Sequence, residues 1–223
     1  MIPLPRLKAS GIGLAALALF LALAYWGYRT YAKSQLQKAV IELVKDSSDR
    51  LRAGLGIEAG AASVAKIDDL AQEVDKHVIE LNRLSASSDR ALVDAAEEYL
   101  LTIRQILRSL AASQRYRAQV MARDSALRDH MRGSSRRSRA WIDEAVRMKD
   151  RLEKDYFDYR LSAEALGRLL ESLPEARKKL ALHVGAAPLA DETALRNASR
   201  RALESSKRMA EEMERMRQLA AVR

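Results

Sequence analysis

The sequence predicts an all-α protein, an N-terminal transmembrane helix continuing into an antiparallel bundle of four or five long helices with coiled-coil-like packing. Three observations predict it. No proline falls between Pro5 and Pro174, and because proline removes a backbone donor and clashes with the preceding turn, so long a proline-free run is the mark of long helices. Apolar residues recur at spacings of three and four through most of the chain, the period of one helical face. The glycines Gly54, Gly56 and Gly60, then Gly133, then Gly185 ahead of Pro188, fall between the periodic stretches and mark the joints.

The first element is the segment from Ala9 to Tyr28, twenty positions without a charged residue. As a helix it rises about 30 Å, the thickness of a bilayer's hydrocarbon core. Tyr25, Trp26, Tyr28 and Tyr31 gather at its C-terminal end beside Arg29 and Lys33, the arrangement in which rings and snorkelling cations sit at a headgroup interface. Tyr25, Trp26, Tyr28 and Arg29 are therefore the expected membrane-interface residues. The alternative is a cleaved signal peptide, with Arg6 and Lys8 as its basic region and Ala22-Leu23-Ala24 as a small-x-small cleavage site. Positions 1–8 form a short tail whose positive charges resist translocation. That places the tail inside and positions 29–223 outside, by the preference of basic flanks for the cytoplasmic face; the reverse orientation is the alternative.

The first helix is expected to run on from the span to about Ala53, with Leu36, Val40, Leu43 and Leu51 on one stripe. A second is expected over about 61–86, carrying Val64, Ile67, Leu70, Val74, Val78 and Leu81. Ser87-Ser88-Asp89 offers capping side chains, so a turn is expected there, with one continuous helix as the alternative. The third helix, about 89–132, repeats Leu92, Ala95, Tyr99, Ile103, Ile106 and Leu110. The fourth, about 135–184, repeats Trp141, Ala145, Met148, Leu152, Tyr156, Tyr159, Ala163, Leu166, Leu170 and Leu173. Pro174 is expected to kink it or to begin a new segment. A last helix from about Asp191 presents Leu195, Ala202, Met209, Met213 and Met216. Each stripe is narrow and needs neighbours to cover it, which an antiparallel bundle supplies. The third and fourth helices then form a long hairpin reaching away from the membrane.

Lys and Arg total 39 against 30 Asp and Glu, a net charge of +9. The signs are mixed along the whole length, which suits solvated helix faces better than nucleic-acid binding, where charge is concentrated and aromatics interleave. No cysteine is present, so disulfides and thiol catalysis are excluded.

Four arginines, Arg132, Arg136, Arg137 and Arg139, surround the turn between the third and fourth helices. Positive charge at a helix start opposes the macrodipole. A bound anion or a partner's carboxylates would resolve the conflict through the helix N-terminus and the guanidinium forks. The bland account is a solvated turn, on which exposed arginines cost little. Tyr156 and Tyr159, with Phe157, Asp158 and Arg160, are the expected lining of a small-ligand pocket, against a plain bundle core. Glu73, His77 and Glu80 stand at metal-ligand spacing on one helix, but His77 also edges the apolar stripe. His130 and His183 are isolated, and none of the three histidines belongs to a zinc or di-iron motif. Met209, Met213 and Met216 offer an adaptable surface or, more simply, core filling. There is no phosphate loop and no nucleophile elbow, so no enzymatic activity, cofactor or metal is expected.

A membrane helix leading into a long-helix bundle resembles, in layout, the ligand-sensing domains of bacterial chemoreceptors and sensor kinases. Those receptors carry a second span and a signalling domain. The leading expectation is a single-pass protein of a bacterial inner membrane, its bulk periplasmic, whose bundle docks onto another membrane or envelope protein, with homo-oligomerisation open. The alternatives are a ligand-sensing bundle and a basic bundle that binds anionic lipid or nucleic acid, the domain then facing the cytoplasm.

Overall fold

The computed structural model describes residues 8–57, 62–84, 89–133 and 138–185, with scattered single positions between 193 and 215; side chains are described from Leu17 onward. Four helices, α1 (Lys8–Leu55), α2 (Ser63–Leu84), α3 (Arg90–Arg132) and α4 (Arg139–Val184), make up nearly all of it. All four expected long helices are present, each within a few residues of the expected bounds. The second and third are not one continuous helix: α2 stops at Leu84, and Asp89 caps α3, its carboxylate accepting from the Leu92 N–H at 3.4 Å; Ser87 and Ser88, where a turn is expected, lie outside the described residues.

The ends of the helices follow from side-chain and backbone chemistry. Ser138 caps α4 by accepting from the Trp141 N–H at 3.1 Å, satisfying one of the donors that a helix start leaves unpaired. Gly185 ends α4 at φ +80° and donates to the Ala181 carbonyl at 2.9 Å. That left-handed conformation is one that glycine adopts at no steric cost.

Cross-helix contacts set the register. α1 and α2 are antiparallel, with Ser47 beside His77 and Arg50 near Glu73. α2 and α3 are also antiparallel: Asp75 bridges Arg104 and Arg108, and Asp68 meets Arg115. α1 therefore runs parallel to α3, and Ser48 Oγ lies 3.0 Å from the Tyr99 hydroxyl. Tyr99 is fully buried, and burial pushes its phenol above the ordinary value of 10.0, so it stays neutral in the core. α4 returns antiparallel along α3, from Trp141 beside His130 to Lys179 beside Glu98, and its end touches α1 where Gln37 Nε2 donates to the His183 carbonyl at 3.3 Å.

α3 is the shared element, packing against all three others. Its buried residues Leu92, Val93, Ala96, Tyr99, Leu100, Ile103, Ile106 and Leu107 form the centre of one core. Leu36, Val40, Leu43, Val44 and Leu51 of α1 enter it, with Ile67, Ala71, Val74, Val78 and Leu81 of α2 and Leu166, Leu170, Leu173 and Leu180 of α4. The expected stripes are thus the core, except that Val64, Leu70 and Ala95 are only partly buried while Ala71 and Ala96 go fully inside. Pro174 does not begin a new segment: α4 runs through it to Val184. Its ring is exposed, and the buried Leu170, Leu173, Ala176 and Leu180 hold the helix on both sides of it.

The four-helix section ends where α2 begins, at Ser63, whose hydroxyl donates to Gln114 of α3. Beyond that level neither α1 nor α2 accompanies α3 and α4, which continue as a hairpin projecting by about 27 Å at 1.5 Å per residue, touched near its base by Glu214 through the Tyr156 hydroxyl. On α3 no residue after Val120 is buried, and on α4 none before Asp155. Trp141, Ala145, Met148 and Leu152, expected in a bundle core, are therefore only half-buried, because two helices cover one face each and no more. A small second core of Val120, Tyr159 and Ala163 closes the neck. Beside it the Arg123 guanidinium lies 2.9 Å from the buried Asp155 carboxylate, off the line of a hydrogen bond, and it also donates to the Arg151 carbonyl at 3.2 Å.

At the other end, α1 runs as one helix from Lys8, and every described side chain from Leu17 to Tyr31 is exposed. Among the described residues no helix is long and apolar enough to cross a membrane. Of the segment 9–28, the side chains of its first eight positions lie outside the described residues. The expected last helix is described only at scattered helical positions, and Leu195, Ala202, Met209, Met213 and Met216 lie outside them.

Candidate docking surface at the hairpin tip

The free end of the hairpin is held by one reciprocal contact. The indole Nε1–H of Trp141 donates to the His130 carbonyl at 3.2 Å, and His130 Nε2 lies 3.0 Å from the Trp141 carbonyl. A carbonyl only accepts, so Nε2 carries the proton. The two rings stack with centroids 5.1 Å apart and planes 11° from parallel. This lock joins the last turn of α3 to the first turn of α4 and fixes the distance between the helix ends on either side of the turn.

Arg132 and Arg139 flank that turn. Arg132 lies in the last turn of α3, where positive charge suits the helix end, and reaches Asp129 at 3.7 Å. Arg139 occupies the first turn of α4, which holds no acidic residue, so the macrodipole opposes it there. Arg136 and Arg137 lie outside the described residues. Met131, about half exposed, adds an apolar patch beside the arginines. Two guanidinium groups, a thioether surface and a rigid base are the elements of a protein contact, since arginine forks recognise carboxylates and methionine adapts to shape.

The other expected sites are arranged differently. Tyr159 is buried against Val120 and Ala163; Tyr156, packed at the edge of that cluster, donates from its hydroxyl to the Glu214 carboxylate at 3.4 Å. Phe157 points outward, 52% exposed, with the Arg160 guanidinium 5.9 Å from its ring centre. Consecutive residues of a helix lie 100° apart, so the three aromatics do not line one space. Tyr25, Trp26, Tyr28 and Arg29 form an exposed collar on α1, where Thr30 Oγ1 donates to the Trp26 carbonyl at 2.8 Å.

Glu73, His77 and Glu80 do not converge. His77 turns toward α1: Nδ1 lies 2.8 Å from Ser47 Oγ and Nε2 lies 3.1 Å from Asp46 Oδ2. Glu73 instead pairs with Lys76, whose hydrogen bond holds its carboxyl below the ordinary value of 4.5. Among the described residues no group of three or more His, Asp or Glu side chains is placed to hold a metal ion. The Ser47, His77 and Asp46 line has the composition of a hydrolase triad, but Ser47 is completely buried between two helices, where no substrate reaches its hydroxyl. It satisfies the edge of a histidine that the stripe carries to the interface. The pairing joins residues 30 positions apart, which no local pattern encodes.

Comparison with protein-family models, with curated proteins and with solved structures finds no match.

Proposed function

We propose that this chain is a membrane-anchored, non-catalytic docking protein: segment 9–28 holds it in a bacterial inner membrane, and the hairpin tip presents Arg132, Arg139 and Met131 to another envelope protein on the periplasmic side. The single observation that carries this reading is the polarity of the rod. At one end α1 exposes Leu17, Leu19, Phe20, Leu21 and Leu23, each more than half accessible. Contiguous apolar surface of that kind marks a membrane or protein contact, and the exposed collar Tyr25, Trp26 and Tyr28 follows at the level expected of a headgroup interface.

The far end supplies the second half of the argument. Lys33 pairs with Asp89 at the base of α3, so α3 starts one turn beyond the collar. Its 43 residues then carry the tip about 65 Å from that level. α1 is one helix from Lys8 to Leu55, so an anchor in segment 9–28 and the domain would move as one rod. A bundle with a rigid two-helix arm suits reach and contact rather than enclosure of a small molecule.

Two measurements on the full chain test the reading. After expression in a bacterial host, the chain should stay in the membrane pellet through an alkaline wash; release into the supernatant sinks the anchor. A photoreactive residue at position 139, in native membranes, should then trap a protein partner. Arg132→Glu with Arg139→Glu should lower that capture at least tenfold without lowering helicity. Trapping of lipid alone sinks the docking surface.

A further inference from the structure

The end of the bundle nearest the aromatic collar is cationic, and the docking reading does not use it. Ser47 beside His77, Ser48 beside Tyr99 and Gln37 beside His183 bring the ends of α2, α3 and α4 level with α1 near Lys38. The segments that meet there are 29–41 of α1, 81–84 of α2, 89–92 of α3 and 181–184 of α4. They carry five Lys and Arg side chains, Arg29, Lys33, Lys38, Arg83 and Arg90, all exposed, against one acid, Asp89, which Lys33 already pairs. Two turns further into the bundle the balance reverses: 42–48, 74–80, 93–99 and 174–180 hold eight Asp and Glu against five Lys and Arg. Asp191 and Glu192, which follow α4 in the sequence, lie outside the described residues; counted with the base, they leave five cations against three acids.

We infer that this base seats on the headgroup phosphates of anionic phospholipid, with Arg83 and Arg90 as the contacts that α2 and α3 supply beside the α1 cations. Lysine and arginine close to a membrane surface are drawn to anionic lipid, and the attraction fades within a Debye length, about 8–10 Å at physiological salt. Lys38 lies about 15 Å along α1 from Tyr28 at 1.5 Å per residue, and long cationic side chains cover much of what remains. Arg90 is 91% exposed, and its one ion pair, with Asp94, spans 3.8 Å, which leaves the guanidinium open to an external phosphate. The order of the two layers matters as much as the count: cations stand toward the collar, and the acids that a lipid phosphate would repel stand behind them.

The choice of lipid over a protein partner rests on the anchor proposed above. With segment 9–28 in the bilayer and the collar at its interface, the surface opposite the base is the headgroup layer itself. Anchoring also holds the base beside that layer at high effective concentration, so a few weak ion contacts suffice to seat it. The contact needs anionic phosphate in the leaflet that the bundle faces and is indifferent to which side that is. Seating would hold the bundle upright and carry the hairpin tip to its full distance from the membrane.

Because the chain has no cysteine, one introduced thiol reports the base without background. Ala91, exposed beside Arg90, is replaced by cysteine in the full chain and labelled with a fluorophore. The labelled chain is reconstituted in vesicles of phosphatidylcholine alone or of phosphatidylcholine with phosphatidylglycerol, each containing a phosphatidylcholine that bears a nitroxide quencher on its headgroup. Quenching should at least double when phosphatidylglycerol is present, and high salt should remove the increase. Arg83→Glu with Arg90→Glu should return it to the level of phosphatidylcholine alone at unchanged helicity; Arg83→Gln with Arg90→Gln replaces that pair if the reversed charges lower helicity. The inference is overturned if the two vesicles quench equally, or if the increase survives the double substitution or high salt, which would make it an apolar contact. An alkaline wash of the same vesicles reports the anchor separately. A chain retained through the wash with no effect of phosphatidylglycerol keeps the anchor and loses the seat, whereas one that binds only vesicles with phosphatidylglycerol and is released by alkali loses the anchor and keeps the lipid contact.

Discussion

The Lys33 ammonium lies 2.9 Å from the Asp89 carboxylate, which also caps α3 through the Leu92 N–H. One side chain thus ties the helix that emerges from the apolar segment to the start of the central helix of the core. The hydrogen bond from Lys33, and after it the one from Leu92, hold the Asp89 carboxyl below its ordinary value of 3.8. A carboxyl whose pKa is depressed by folding stabilises the fold fully above its unfolded value. That contribution is lost as pH falls below 3.8 and through the lowered folded value. Asp89→Asn keeps a capping side chain and removes the charge, so it should be less stable than the parent at pH 7 and equal to it near pH 2. Lys33 is 61% exposed, which limits the neutral-pH difference to about 1 kcal/mol or less. Asp89→Ala should lose about 1 kcal/mol more with the cap. Thermal unfolding followed by circular dichroism at the two pH values checks both. A difference between parent and Asn variant that persists at pH 2 rules out the charge as its source.

The His130 and Trp141 lock closes the tip, far from the main core. Trp141→Ala removes the ring stack and the indole hydrogen bond, together worth about 2 kcal/mol, but only locally. Hydrogen exchange of the last turn of α3 and the first of α4 should therefore accelerate, while α1, α2 and the lower half of α3 exchange as before and the main melting transition barely moves. Trp141→Phe keeps the stack without the donor and should fall between. An equal acceleration along all of α3 would mean that the hairpin and the base unfold as one unit.

Gly54 of α1 sits directly against Leu107 of α3. A Cβ placed on it would lie 2.5 Å from Cδ2 of Leu107, a fully buried core residue, and 3.6 Å from Leu70. Gly54→Ala gains up to about 1 kcal/mol of helix propensity, but overfilling a packed core costs about 1–3 kcal/mol. The net expectation is a loss of about 1 kcal/mol, read as a lower melting temperature. Leu107→Val in the same chain should recover part of it, because the shorter side chain vacates the contact; strictly additive losses in the double variant would show that the two sites do not touch.

Much of this architecture is legible in the sequence because the breaks are local. Asp89 announces a helix start by its capping oxygen, and Gly133 and Gly185 stand where helices stop; the fourth helix starts at Arg139, a few residues after the expected 135, because Ser138 supplies the cap. Each stripe is legible for the same reason, since three- and four-residue spacing already fixes a face. The depth of the core is not legible that way. Leu152 and Leu166 lie on one continuous stripe of α4, yet only Leu166 has other helices around it, and nothing in the local spacing says that α1 and α2 stop between their levels. The partners of His77 escape sequence reasoning for a related reason: Ser47 and Asp46 are on another helix, in a register set by the whole bundle. The separation of Phe157 from Tyr156 follows from the 100° turn between neighbours on a helix. For the docking surface, the arginines around the turn are legible as charge, whereas the ring stack that holds them in place depends on α3 and α4 meeting at one level.

Pro174 bears on how far packing overrides local preference. Inside α4 it cannot donate to the Leu170 carbonyl, and an interior proline costs about 3 kcal/mol relative to alanine. α4 nevertheless continues to Val184, because Leu170 and Leu173 before it and Ala176 and Leu180 after it are all buried in the same core. The ring itself is exposed, so replacing it removes no core contact. Pro174→Ala should therefore restore one helical hydrogen bond and stabilise the protein by about 1–3 kcal/mol, less than the full propensity difference because the helix has already relaxed around the ring. The midpoint of urea unfolding should rise with the slope unchanged, as for a substitution that alters stability but not the surface exposed on unfolding. If the midpoint falls instead, the ring is making a contact that its exposure does not reveal, and α4 is adapted to the proline.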